Sequence, residues 1–137
     1  TEFYKKGLIK SIGVSNFTIE DVKNINDHAD VKVMVNQIPV WIGNTELPLI
    51  DYCQKNDVLI ESYSPIAHGR ALDNPLIKKF ADKYKTSIAN LCIQYTIQLG
   101  TVTLPKASKL DHMKQNFEGN NFAISKEDME ILKNIHE

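Results

Sequence analysis

Four short apolar stretches, each running into polar residues and each followed by a helical pattern, constrain this chain more than any other feature. They are "LIKSIGVS" (8–15), "KVMVNQI" (32–38), "VLIESYS" (58–64) and "TVTLPK" (101–106). Their length and β-branched content predict buried strands. Between them lie helical patterns with start and stop signals. "TIEDVKNINDHA" carries Thr18 as an N-cap with Asp21 three residues later, and Val22, Ile25 and Ala29 on one face. "NTELPLIDYCQKN" spaces Leu47, Ile50 and Cys53 helically. "NPLIKKFADKY" opens on Asn74 with Pro75 at the first helical position, and its Leu76, Ile77, Phe80, Ala81 and Tyr84 form a wide apolar face. "TSIANLCIQYTIQLG" is expected to cap at Thr86 and to end at Gly100. "SKLDHMKQN" and "SKEDMEILKNI" are expected to cap at Ser108 and Ser125. Alternation of this kind predicts an α/β fold with a parallel sheet and right-handed crossovers. The opening "TEFYKKGLI" reads as the tail of a helix terminated at Gly7, so further chain is expected before residue 1.

Composition narrows the partners. The chain has 137 residues, 42% hydrophobic and 24% charged, with a net charge of -1, which is the profile of one soluble globular domain and of neither a nucleic-acid binder nor a protein drawn to an anionic membrane. No apolar run approaches bilayer length and no signal peptide opens the chain. Cys53 and Cys92 fall inside helical patterns with no metal-ligand spacing, and are read as buried thiols in a reducing compartment, the cytoplasm.

In parallel α/β proteins chemistry collects at the carboxyl ends of strands. Those ends here hold Ser15 and Asn16, Asn36 and Gln37, Tyr63 and Ser64, and Lys106 with Ser108. The set is polar and rich in hydrogen-bonding groups. It offers no carboxylate pair, no Ser/His/Asp set and no metal cluster, so it suits binding of a large polar ligand better than acid–base chemistry. The six glycines form neither a GxGxxG nor a P-loop, so a nucleotide would not be held in the Rossmann manner. Lys106, just before a helix start, combines a full positive charge with free helix N–H groups and forms a phosphate site.

Six segments in order, "GLIKSIGVSNF", "VNQI", "IESYSPI", "KYKTSIANLCIQYTIQLG", "LPKAS…H…N" and "FAISKEDMEIL", resemble the aldo-keto reductases over essentially the whole chain. The resemblance implies the C-terminal half of a (β/α)₈ TIM barrel, strands five to eight with flanking helices, so that residues 1–137 form a single partial domain; a complete barrel needs about 250 residues. It implies NADPH as cofactor, a small-molecule carbonyl substrate, and the reduction of aldehydes and ketones to alcohols. Ser15, Asn16 and Gln37 match positions that hydrogen-bond the nicotinamide carboxamide; the alternative for Ser15 and Asn16 is capping of the following helix. Tyr63 matches the aromatic that stacks on the nicotinamide ring, or is a core tyrosine. Ser64, Ile66 and the loop through His68, Gly69 and Arg70 match the segment over the pyrophosphate, or form a solvated surface loop. Lys106 and Ser108 lie in the stretch that receives the 2′-phosphate, and His112, Gln115 and Asn116 match ribose- and adenine-side positions, or lie on a solvated helix face.

The chain departs from the family pattern at three places. "IPVWIG" replaces the usual Glu-Tyr-His-Pro, so Trp41 either shapes the substrate pocket or packs. Ala107 stands where many members have serine, and His112 where many have arginine; a histidine grips phosphate less firmly than a guanidinium. The family's catalytic Asp, Tyr, Lys and His belong to earlier strands, and Tyr4, Lys5 and His28 do not take those roles because none lies at a strand's carboxyl end. No catalytic or metal-binding residue is therefore assigned. Two other readings compete. One is an inactive half-barrel that self-associates, with Val14, Val35 and Ile60 expected on an uncovered interior face. The other is a flavodoxin-like nucleotide domain, for which "VSNFT" is a poor phosphate turn.

Overall fold

The computed structural model describes residues 1–136. In chain order it contains α1 (Glu2–Lys5), β1 (Gly13–Ser15), α2 (Ile19–His28), β2 (Val35–Pro39), α3 (Leu47–Lys55), β3 (Leu59–Tyr63), a 3-10 segment (Ala67–Asp73), α4 (Pro75–Lys83), α5 (Ile88–Gln98), β4 (Val102–Leu104), α6 (Leu110–Glu118) and α7 (Lys126–Lys133). The strands follow one another in one four-stranded sheet, β1-β2-β3-β4. β1 and β2 are parallel, with Gly13 opposite Val35, Val14 opposite Asn36 and Ser15 opposite Gln37. The expected alternation is therefore present, but the strands are shorter than their apolar runs: the first and last have three residues each. Residues 8–12 approach β1 without joining it.

The residues divide into two compact units, Thr1–Ile38 with Glu46–Glu61, and Pro39–Thr45 with Ser62–Glu137. In the first, Thr18 and Asp21 close the expected reciprocal capping box of α2, and α2 packs against α3. Val22, Val33, Ile38, Leu49, Ile50, Cys53, Val58 and Ile60 form its buried core. Burial along β2 alternates, with Asn36 and Ile38 buried and Val35 and Gln37 half-buried, as a strand with one covered face requires. The pairing corrects the expectation that Val14, Val35 and Ile60 share an uncovered face. Val14 lies opposite buried Asn36, Ile60 is 1% exposed, and of the three only Val35 lies on the open side, beside Gln37.

In the second unit α4 packs on α5, and Ile77, Phe80, Leu91, Cys92, Ile93, Tyr95, Met129 and Leu132 are buried. Asn74 caps α4 through the N–H groups of Leu76 and Ile77, with Pro75 in the first turn, and Ser125 caps α7. Two expected caps move. α5 starts on Ser87, whose hydroxyl accepts from Asn90 N–H, instead of Thr86. α6 starts on Lys109 with no side-chain cap, instead of Ser108. A buried hydroxyl relay fixes β3 to the end of α5: Ser62 Oγ donates to Thr101 Oγ1 at 2.7 Å, and Thr101 Oγ1 to the Thr96 carbonyl at 2.8 Å. Both cysteines are buried and free. Burial pushes the Cys92 thiol up to about 12, so it is inert near neutral pH. Among the described residues no helix is long and apolar enough to cross a membrane.

Candidate nucleotide site

In the first unit the ends of β1 and β2 converge on one carbonyl. Ser15 Oγ and Asn16 N–H both donate to the Gln37 backbone oxygen, at 3.0 and 2.9 Å. Asn16 adopts φ +59°, a left-handed turn that asparagine tolerates better than most residues. Beneath them the fully buried Asn36 clamps Phe17, donating from Nδ2 to the Phe17 carbonyl at 2.9 Å and accepting its N–H at 3.4 Å. Asn36 is thus a structural latch that sets where Asn16 stands. Because Thr18 caps α2, Ser15 and Asn16 are not needed as caps. Its hydrogen bonds with Thr18 hold the Asp21 carboxyl below the usual range.

Sequence reasoning missed Glu61, whose Oε2 accepts from Gln37 Nε2 at 2.7 Å. This bond orients the Gln37 amide. The available signal was a lone carboxylate on the same strand face as Leu59 and Tyr63, alternating with Ile60 and Ser62. The Ser15 proton is already given to a carbonyl, so its hydroxyl meets any ligand as an acceptor.

In the second unit β3 ends at half-buried Tyr63, whose carbonyl accepts from Val40 N–H at 3.2 Å. The loop that follows holds Ser64, Ala67, His68 and Gly69 at φ +55°, +49°, +55° and +96°. Such conformations persist only where neighbours over-determine them. Ser64 Oγ contacts His68 Nε2 at 3.2 Å, Ala67 N–H reaches the Ser64 carbonyl at 2.8 Å, and Arg70 Nε donates to the Ala67 carbonyl at 3.3 Å. Trp41 packs against this loop, with Arg70 over its ring at 5.5 Å and His68 edge-on at 6.5 Å.

Ile66 and Leu72 from that loop line a cavity of about 370 Å³. The opposite walls are Lys106 after β4, His112, Gln115 and Asn116 on α6, and Ser87, Ile88 and Ala89 at the start of α5. Five of the residues singled out from sequence, Ile66, Lys106, His112, Gln115 and Asn116, therefore share one recess. Ser108 is not among its walls, and the helix terminus there is that of α5, not the one expected at Ser108. First-turn N–H groups have no partner within a helix and carry partial positive charge; beside the Lys106 ammonium they suit an anion, while Ile66, Leu72 and Ala89 offer apolar surface to a flat ring. A larger recess of about 650 Å³ runs between Ile93, Ile97, Pro105, Met113 and Phe117. It has no charged wall and is an apolar groove. Among the described residues no group of His, Cys, Asp and Glu has the makings of a metal site.

A family model described as the aldo/keto reductase family matches residues 1–137. The chain is 35% identical over 131 residues to glyoxal reductase of Bacillus subtilis, covering 96% of this chain and 48% of that protein. It is 33% identical to aldose reductase C of Dictyostelium discoideum, covering 95% and 41%. Among solved structures, an aldo-keto reductase from a deep-sea metagenome library superposes with a TM-score of 0.92 at 30% identity, over 98% of this chain and 51% of that one. A Bombyx mori aldo-keto reductase in complex with NADP superposes with a TM-score of 0.86 at 27% identity, over 96% and 46%. The chain spans about half the length of the curated relatives it matches.

Proposed function

Since the chain belongs to the aldo/keto reductase family, we propose that it is the cofactor-holding, C-terminal half of a (β/α)₈ barrel whose complete form reduces aldehydes and ketones with NADPH. The observation that carries this reading is the cavity that joins Lys106, His112 and Asn116 to the first turn of α5 and to Ile66. These walls fit the adenosine end of the dinucleotide. Lys106 and the α5 N–H groups face the 2′-phosphate, and Asn116 and Gln115 face the base and ribose. Ser15, Asn16 and Gln37 hold the nicotinamide carboxamide: the Ser15 hydroxyl accepts from its NH₂, and an amide N–H of Asn16 donates to its oxygen. Tyr63 stacks on the nicotinamide ring and leaves one face for substrate. Ser64 and the loop behind it hold the pyrophosphate. The bound cofactor supplies the hydride. This chain's residues bind and orient; Tyr63, the phenol at the end of β3, is taken up in stacking on the nicotinamide ring, so the chain alone is proposed to be inactive.

Lys106→Met tests the reading. NADPH and NADH differ only in the 2′-phosphate, and a charge-assisted hydrogen bond to it contributes on the order of 1.5–3 kcal/mol, roughly ten- to a hundredfold in affinity. Paired fluorescence titrations are expected to show NADPH binding weakened by about that factor with NADH nearly unchanged, and added salt eroding the NADPH advantage of the unsubstituted chain. Equal losses for both cofactors would make Lys106 structural and remove the site.

A further inference from the structure

Trp41 occupies a position that the cofactor reading leaves without a task. It is the single tryptophan of the chain and sits in a short turn closed by hydrogen bonds between the backbones of Trp41 and Asn44, at 3.1 and 2.9 Å. Thr45 Oγ1 donates to the Trp41 carbonyl at 3.0 Å and is within 2.8 Å of the Tyr95 hydroxyl. Tyr95 is fully buried, so the turn that presents the indole is tied to the core of the second unit. The indole meets the 64–73 loop twice, through the Arg70 guanidinium over its face and the His68 ring at its edge. The same loop holds Ser64, Ala67, His68 and Gly69 at positive φ and gives Ile66 and Leu72 to the cavity wall.

We propose that Trp41 is a positioning residue that holds the 64–73 loop, through Arg70 and His68, as a preformed wall of the nucleotide cavity. The inference rests on the reading that the cavity takes the adenosine 2′-phosphate end of NADPH. Indole is the best of the aromatic faces for a cation, and a guanidinium is its more frequent partner. The segment is also anchored on α4 and α5 through buried Ala67 and Ala71, but without the indole its outer side loses this tie, and it populates other conformations in which Ile66 and Leu72 leave the wall. Affinity for a nucleotide then falls by the fraction of molecules that remain in the competent form. Arg70 and Trp41 do this as a pair, so losing either loses the effect of both.

A double-mutant cycle reads this coupling directly. Adenosine 2′,5′-bisphosphate is the probe, and its dissociation constant is measured by calorimetry on the unsubstituted chain, Trp41→Ala, Arg70→Met, the double variant and Trp41→Phe. Each single substitution is expected to weaken binding by about three- to tenfold. The double variant is expected to bind no more weakly than the worse single one, and Trp41→Phe, which keeps an aromatic face, to recover part of the loss. Arg70 is exposed, so Arg70→Met keeps the test valid if Trp41→Ala folds poorly. Unchanged affinity in Arg70→Met, or strictly multiplying losses in the double variant, would overturn the latch while leaving the cofactor reading intact. Failure of the unsubstituted chain to bind the probe would overturn both.

Discussion

At the residue scale, the side chains assigned from sequence are those whose neighbours in the chain already state their role. Thr18 with Asp21, Asn74 with Pro75, and Ser125 cap as their local patterns require. What sequence could not show is who faces whom across strands and helices. Glu61 meets Gln37 only because β2 and β3 are neighbours in the sheet, and Asn36 is a latch and not a ligand contact only because Phe17 lies over it. Gly119 is a further case. A Cβ placed there would lie 1.2 Å from Nδ2 of buried Asn90 and 2.6 Å from the Gln115 carbonyl oxygen, and the Asn90 amide donates to that same oxygen at 3.2 Å. Gly119→Ala must therefore break the Asn90 bond or move the end of α6. The expected loss is ~1–3 kcal/mol, read as a lower denaturation midpoint, together with weaker NADPH binding because α6 carries His112 and Asn116. Wild-type stability in Gly119→Ala would show that the Asn90 side chain can turn aside freely.

At the element scale, helices were more legible than strands. Helix patterns run through nine or more residues in α2 to α6 and eight in α7, and repeat their signal; β1 and β4 have three residues, and their apolar flanks read as strand although they lie outside the strands. The sequence of the 3-10 segment reads as loop because its form depends on left-handed residues that no propensity favours. The packing of α7 has a titratable anchor. Asp128, 5% exposed, accepts from the Lys83 ammonium at 2.6 Å and from the Tyr84 hydroxyl, which itself accepts from Ser125 N–H at 2.8 Å. Lys83, then Tyr84, hold the Asp128 carboxyl below its ordinary value, and Asp128 holds the Lys83 ammonium above its own. The carboxylate therefore contributes stability above the unfolded value of about 3.9, and loses it as pH falls through the lowered folded value. The lysine contributes below about 10.4 and loses its part as pH rises through the raised folded value. Asp128→Asn is expected to lower the thermal midpoint at pH 7 by about 4 °C, for a loss near 1 kcal/mol, and to flatten the decline in stability on acidification. An acid limb as steep as that of the unsubstituted chain would place the titrating group elsewhere.

At the scale of the whole molecule, the sheet leaves β1 and β4 as edges, and Leu8, Leu59, Val102, Leu104, Leu110, Met113 and Phe117 are exposed, Phe117 by 88%. Covering one large aliphatic side chain is worth ~1.5–3 kcal/mol, and open parallel edges invite pairing, so the isolated chain is expected to associate. Sedimentation velocity over a wide concentration range should show species larger than 15.6 kDa; a single monomeric boundary at every concentration would count against this. Fold class was legible because the alternation of strands and helices is a local pattern, whereas the groove beside α6 was not, since it exists only where Met113 and Phe117 come to lie near Ile93, Ile97 and Pro105. The central claim is that this chain holds the cofactor without completing the reaction. It is tested most directly by equilibrium dialysis of the purified chain against NADPH, followed by addition of a small aldehyde to the same sample. The expected result is saturable binding, tighter for NADPH than for NADH, with no consumption of NADPH after the aldehyde is added. Absence of binding, or steady NADPH consumption that copurifies with the chain and disappears on its removal, would contradict it.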